Sequence, residues 1–198
     1  MTATKTNPAH KAPPAAKEAK DAKDAIAMLK ADHEAVSHLF AEYAKTHSVP
    51  NKKALVAEIC TALSVHAQIE EEIFYPAARK AIDDDELMDE AKVEHAGAKD
   101  LIAQLESMNP GDELYDAKFT VLAEQIVHHV EEEQNELFPL VRKSKLDTAV
   151  LGRKLLQRKL ELGGQEPANT NSPTKRATNG TSKRKTAASA APRGRHTK

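Results

Sequence analysis

The chain has 198 residues, 40% of them hydrophobic and 30% charged, which is enough apolar material for one ordinary domain with length to spare. Seven aromatic residues, seven glycines and no tryptophan, beside abundant Ala, Leu, Lys and Glu, point to an all-α chain. No apolar run approaches the ~20 residues of a membrane span, and the N-terminus lacks the apolar stretch of a secretory signal; the single cysteine, Cys60, excludes an internal disulfide and fits the reducing cytoplasm.

The net charge of -1 is unevenly distributed. Residues 1–24 carry five Lys against Glu18, Asp21 and Asp24, a balance of +2, and from Gln165 onward eight basic residues face Glu166 alone, a balance of +7. The stretch between them is therefore at -10. Both ends are poor in apolar residues, so neither buries enough surface to offset the entropy of ordering; 1–23 and 164–198 are expected to be disordered.

Between these ends, apolar residues recur at intervals of three and four in four long segments, as amphipathic helices require. The first runs from Asp24, a suitable N-cap, to about Thr46 on the stripe Ile26, Leu29, Val36, Phe40 and Tyr43. SVPN (48–51) breaks it, and the second follows with Val56, Ile59, Leu63 and Ile73. Asp83 to Asp85 open the third, which carries Met88, Ala91, Ala98, Ile102 and Leu105. After the turn NPGD (109–112) the fourth shows Phe119, Leu122, Ile126, Leu137 and Leu140. Short connections force neighbours to run antiparallel, which predicts an up-down-up-down four-helix bundle over residues 24–163. A fifth, shorter amphipathic piece with Val150, Leu151, Leu155 and Leu162 is expected to pack on its outside.

The second and fourth segments contain one design twice. HAQIEEEIFYP (66–76) and HHVEEEQNELFP (128–139) each end on an aromatic residue and a proline. Superposing Pro76 on Pro139 brings Glu70 onto Glu133 and His66 onto His129, which leaves His128, with Glu132 at the same spacing, as a fallback pair. The first and third segments add His33 in ADHEAV and His95 in VEHAGA, 62 positions apart against 63 for His66 and His129. His33, His66, His95 and His129 all fall on apolar stripes, whereas His38, about 140° around the helix from His33, faces solvent.

A single histidine on an apolar face is ordinarily a hydrogen-bonded core residue. Four of them, one per helix, with two inward carboxylates at i+4, are a different matter, because an unpartnered buried carboxylate costs several kcal/mol unless a cation compensates it. Four imidazoles and two carboxylates without a nearby thiolate exclude a structural Cys-zinc site and are too rich in nitrogen for calcium or magnesium. The duplication suggests two ions bridged by Glu70 and Glu133, with His33, His66, His95 and His129 as terminal ligands. Asp32 and Glu94, each next to a histidine, could orient the imidazoles, Tyr43 and Tyr75 could donate protons, and Gly97 could permit close helix approach. Cys60 reads as core packing.

The order His, His-x-x-x-Glu, His, His-x-x-x-Glu, carried by ADHEAV, HAQIEEEIFYP, VEHAGA and HHVEEEQNELFP, resembles the hemerythrin-like HHE cation-binding family over about residues 24–162. The resemblance implies a non-haem di-iron centre, oxo- or hydroxo- and carboxylate-bridged, held by His33, His66, Glu70, His95, His129 and Glu133. It also implies binding of O₂, peroxide or NO in oxidative or nitrosative stress defence or in iron and oxygen sensing, with catalase-like or ferroxidase activity. Oxygen-carrying hemerythrins have a second histidine where Lys99 stands and an aspartate where Gln134 stands. These departures make the site more oxygen-rich and argue against oxygen storage, the third reading. The alternative from another class is a metal-dependent interaction module whose basic tail contacts nucleic acid through phosphate charge.

Overall fold

The computed structural model describes residues 24–82 and 84–164, which are all-helical, without a strand among them. The predicted disorder of 1–23 and 164–198 falls, Gly164 apart, outside the described residues. Helix α1 (Ala25–Lys45) begins at the predicted cap, where the Asp24 carboxylate accepts the Ala27 N–H at 2.9 Å. Helix α2 starts at Val49 with Pro50 in its first turn, where a missing N–H costs nothing, and continues as helix of one kind or another to Arg79. Helix α3 (Glu86–Glu106) follows the acidic triplet, with Asp84 rather than Asp85 accepting an N–H, from Leu87. Helix α4 extends from Tyr115 to Lys143, and α5 (Thr148–Glu161) is capped by Asp147, which accepts the N–H groups of Ala149 and Val150. Asp24 also accepts from Arg142 at 2.7 Å and Thr148 at 2.9 Å, tying the start of α1 to the α4–α5 turn.

Two helices are interrupted at matching places. In α2 a π-helical segment, Glu70–Phe74, and in α4 another, Glu133–Leu137, each open on a glutamate and end two residues before a proline. Pro76 and Pro139 have no N–H to offer the preceding turn, and their rings crowd it. The wider turn re-registers the backbone, so that Tyr75 N–H bonds the Glu70 carbonyl and Phe138 N–H bonds that of Glu133. The inward stripe beyond each glutamate shifts accordingly: Phe74 and Val141 are fully buried, while the predicted Ile73 and Leu140 are only half-buried.

The apolar core lies in two parts. One gathers Leu29, Phe74, Met88, Leu137 and Phe138, and the other Val36, Ile59, Leu63, Ile102, Phe119 and Leu122. Helix α1 passes from the first to the second, α2 from the second to the first, α3 and α4 likewise in turn, and each carries its polar inward residues at the crossing point. Helix α5 packs on α1 and α2 through Leu151 and Leu155, with Val150 left exposed. Cys60 is buried in the second part of the core. Gly97 is not needed for close helix approach, since a Cβ there would meet only the Gln125 side chain, at 3.6 Å.

Candidate metal centre

Between the two parts of the core, the structure brings the six predicted side chains together, none more than 7% exposed. His33 and His66 approach Nε2 to Nε2 at 2.8 Å, and His95 and His129 do so at 3.1 Å. The two pairs repeat one geometry: ring centroids lie 4.6 and 4.7 Å apart, inclined at 66° and 60°. Two bare ring nitrogens repel at such distances unless a proton or a cation lies between them. Glu70 reaches both pairs, with Oε1 3.2 Å from His66 Nε2 and Oε2 3.6 Å from His95 Nε2. Glu133 does the same from the other side, with Oε2 3.4 Å from His33 Nε2 and 3.8 Å from His129 Nε2. Two groups of atoms within coordinating reach result, His33–His66–Glu70–Glu133 and Glu70–His95–His129.

Both oxygens of Glu70 and Oε2 of Glu133 are buried with no hydrogen-bond partner. A buried, unsatisfied carboxylate is costly, and these three oxygens are surrounded by imidazole nitrogens that present lone pairs rather than N–H groups if their protons sit on Nδ1. The donor set therefore fits transition-metal ions with nitrogen and oxygen ligands.

The outward Nδ1 atoms support that tautomer. His95 Nδ1 meets Glu71 Oε1 at 3.0 Å, His129 Nδ1 meets Glu94 Oε2 at 2.8 Å, and His66 Nδ1 lies 3.5 Å from Asp32 Oδ2. His33 Nδ1 faces the Gln134 amide at 3.4 Å. Such carboxylate contacts fix the ring and raise its basicity as a ligand. Asp32 and Glu94 do not serve their sequence neighbours. Each orients the histidine of the adjacent helix in its hairpin, because consecutive residues on a helix point about 100° apart. Glu71 is held in turn by Lys99 at 2.6 Å, and Asp32 by Lys159 of α5 at 2.6 Å. Glu71 and Lys159 escaped sequence reasoning, and Gln134, noted only for replacing an aspartate, turns out to face His33 Nδ1. Glu71 sits in the acidic run EEE (70–72), in which spacing marks only Glu70, and only tertiary packing pairs Lys159 with Asp32.

The repeat is broken by one hydroxyl. Phe138 stacks on His33 with centroids 6.0 Å apart, and its counterpart Tyr75 lies 5.6 Å from His95. The Tyr75 hydroxyl donates to Glu133 Oε1 at 3.0 Å and stands 3.4 Å from His95 Nε2. It thus belongs to the site, whereas Tyr43 lies in the second core and donates to Asp116 at 2.6 Å. The fallback pair is elsewhere too: His128, exposed, meets Glu132 at 3.2 Å and Glu94 at 3.7 Å on the surface.

Burial and crowding separate the protonation states. Burial, aided by the neighbouring His66, pushes His33 down to about 3. Burial also disfavours charge on His66, but Glu70 and Asp32 outweigh it and push that ring up to about 10. Burial and then the charge of Glu70 raise the Glu133 carboxyl well above its usual range, while Glu70 is held low, against its burial, chiefly by His66. Without an ion the surroundings thus favour an ionised Glu70 against a protonated His66, and disfavour charge on Glu133. Next to the four imidazoles opens a cavity of ≈ 30 Å³, walled by Val36, Leu63, Ala98, Ile102, Ile126 and Val130, with Lys99 at its edge. That is room for one or two water-sized molecules.

The sequence model of the hemerythrin HHE cation binding domain matches residues 24–141. A DNA nickase of Nostoc sp. (strain PCC 7120 / SAG 25.82 / UTEX 2576) is 28% identical over 118 residues, 58% of this chain and 32% of its own, so the chain spans about a third of that relative. The crystal structure of a hemerythrin HHE cation binding domain-containing protein from Mycobacterium kansasii shares the fold at a TM-score of 0.60 and 23% identity, covering 71% of this chain and 87% of that one.

Proposed function

The chain belongs to the hemerythrin HHE cation-binding family, and we propose that its paired histidine–glutamate clusters hold two iron ions in a centre that meets O₂, peroxide or NO. In this reading residues 24–163 form an up-down-up-down bundle. His33 and His66 would hold one ion and His95 and His129 the other, with Glu70 and Glu133 as the carboxylates shared between them. One observation carries it: three carboxylate oxygens, buried and unpartnered, lie among four inward imidazole nitrogens. When bound, the iron pair supplies electrons and open positions for a small oxidant. The chain's own residues do the rest. Glu71, Glu94 and Asp32 hold the imidazoles in the ligating tautomer, the Tyr75 hydroxyl keeps a proton at Glu133 Oε1, and the ≈ 30 Å³ apolar cavity admits a diatomic molecule or peroxide and little else.

The role that follows is defence against oxidative or nitrosative stress, or sensing of iron and oxygen, in the cytoplasm, with peroxide decomposition or iron oxidation as the turnover to assay. Metal analysis and optical spectra of protein purified with and without air test the centre. Two irons per chain with the near-ultraviolet absorption of a bridged ferric pair are expected; one zinc, or no metal, refutes it. The DNA nickase likeness and the +7 tail favour a second reading, in which the same chain contacts nucleic acid. DNA affinity that depends on the tail's positive charge is its test.

A further inference from the structure

Residues 24–164 hold sixteen Lys and Arg against twenty-seven Asp and Glu, a net charge of -11. Within this acidic body Lys80, Lys143, Lys145 and Lys154 meet around one recess of ≈ 920 Å³ between the C-terminal end of α2 and the α4–α5 turn. All four are exposed, and among the described residues none has a carboxylate within ion-pairing distance, in contrast to Lys52, Lys99 and Lys159. The one acid lining the recess, Glu72, is taken by Arg158 at 2.7 Å. Four unpaired ammonium groups repel one another, and an anion laid across them relieves that repulsion.

We infer that this recess is a contact surface for the phosphate backbone of double-stranded DNA, which rests on the nucleic-acid reading above and places part of it on the folded body. The chemistry selects the ligand. Lysines bind phosphate oxygens as point charges, without the geometric demand of the Arg fork, which suits a backbone met in many orientations. The floor, Ile73, Ala77, Leu146 and Leu151, has no aromatic face on which a base could stack, so the contact is independent of sequence. An acidic protein surface would meet repulsion from the remaining body, whereas a rod of phosphates can touch the recess and leave the acidic faces turned away. Helix α5, which supplies Lys154, is followed along the chain by the eight basic residues beyond Gln165, whose charge adds a contribution separable from that of the recess.

The test uses the full chain and a labelled 25-base-pair duplex, followed by fluorescence anisotropy between 50 and 200 mM salt. Lys80→Gln, Lys143→Gln, Lys145→Gln and Lys154→Gln together should weaken binding about ten-fold or more and flatten the slope of log affinity against log salt by about 3–4, as four lost phosphate contacts imply. The circular-dichroism melt should not move, since all four side chains are exposed. A second full-length variant carries glutamine in place of every Lys and Arg beyond Gln165. If it alone loses binding while the quadruple variant binds like wild type, the recess is overturned and the tail reading stands. No binding by wild type at 50 mM salt overturns both, and polyglutamate that competes as well as DNA overturns the recess in favour of an acidic protein partner.

Discussion

Glu133→Gln separates a metal centre from a structural polar core. Glu133 is 2% exposed, and burial beside Glu70 raises its carboxyl well above the usual range, favouring the protonated form in the metal-free protein. Glutamine has nearly the shape and the neutrality of that protonated acid, and its amide oxygen can still accept the Tyr75 hydroxyl that now lies 3.0 Å from Oε1. The metal-free melting temperature should therefore change by less than about 4 °C, the equivalent of roughly 1 kcal/mol for a body of this size. Bridging a cation, in contrast, requires the carboxylate. Wild type with free metal at about 1,000 times its dissociation constant gains about 4.1 kcal/mol, and a hundred-fold loss of affinity removes about 2.7 of these, or about 5–11 °C. Differential scanning fluorimetry with and without ferrous iron under anaerobic conditions reads both quantities. A large loss of stability in the metal-free variant, or an undiminished shift on adding iron, would refute the assignment.

Three further outcomes follow from the same geometry. His66 in the folded, metal-free chain is pushed up to about 10 from an unfolded value of 6.5, so its stabilising contribution is complete below pH 6.5 and disappears as pH rises through 10. His33, pushed down to about 3, has the opposite sign and withdraws stability as pH falls from 6.5 towards 3. Metal uptake at pH 7.5 should accordingly expel at least one proton, seen as a binding heat that varies with the ionisation enthalpy of the buffer; no such variation would contradict a protonated His66. Lys159→Met keeps the packing of the side-chain stem but leaves Asp32, 7% exposed, without its ammonium partner, and should cost about 3–5 kcal/mol in urea unfolding; a loss under about 1 kcal/mol would show that water replaces the pair. Burial pushes the Cys60 thiol up to about 11, so at pH 8 a disulfide reagent should react with it only at the rate of global opening, faster in dilute urea, and rapid modification of the native protein would count against the buried site.

Periodicity decided which residues turn inward. A 3.6-residue repeat interrupted at SVPN, DDD and NPGD defines helix positions and faces by local backbone geometry alone, and His33, His66, Glu70, His95, His129 and Glu133 lie on those faces in the structure as the spacing requires. The duplicated His-x-x-x-Glu preceding an aromatic–proline pair was legible for the same reason, as was membership of the family. What the spacing could not contain is the rotation of one helix against the next. That rotation, adjusted by the π-helical turns that Pro76 and Pro139 impose, sends Asp32 to His66 and Glu94 to His129 rather than to their neighbours. It also aims Tyr75 at Glu133 and joins Lys159 to Asp32 across 127 residues. Hydrogen bonds between helices depend on angles and distances to within a fraction of an ångström, which side-chain packing sets and a repeat along one chain does not.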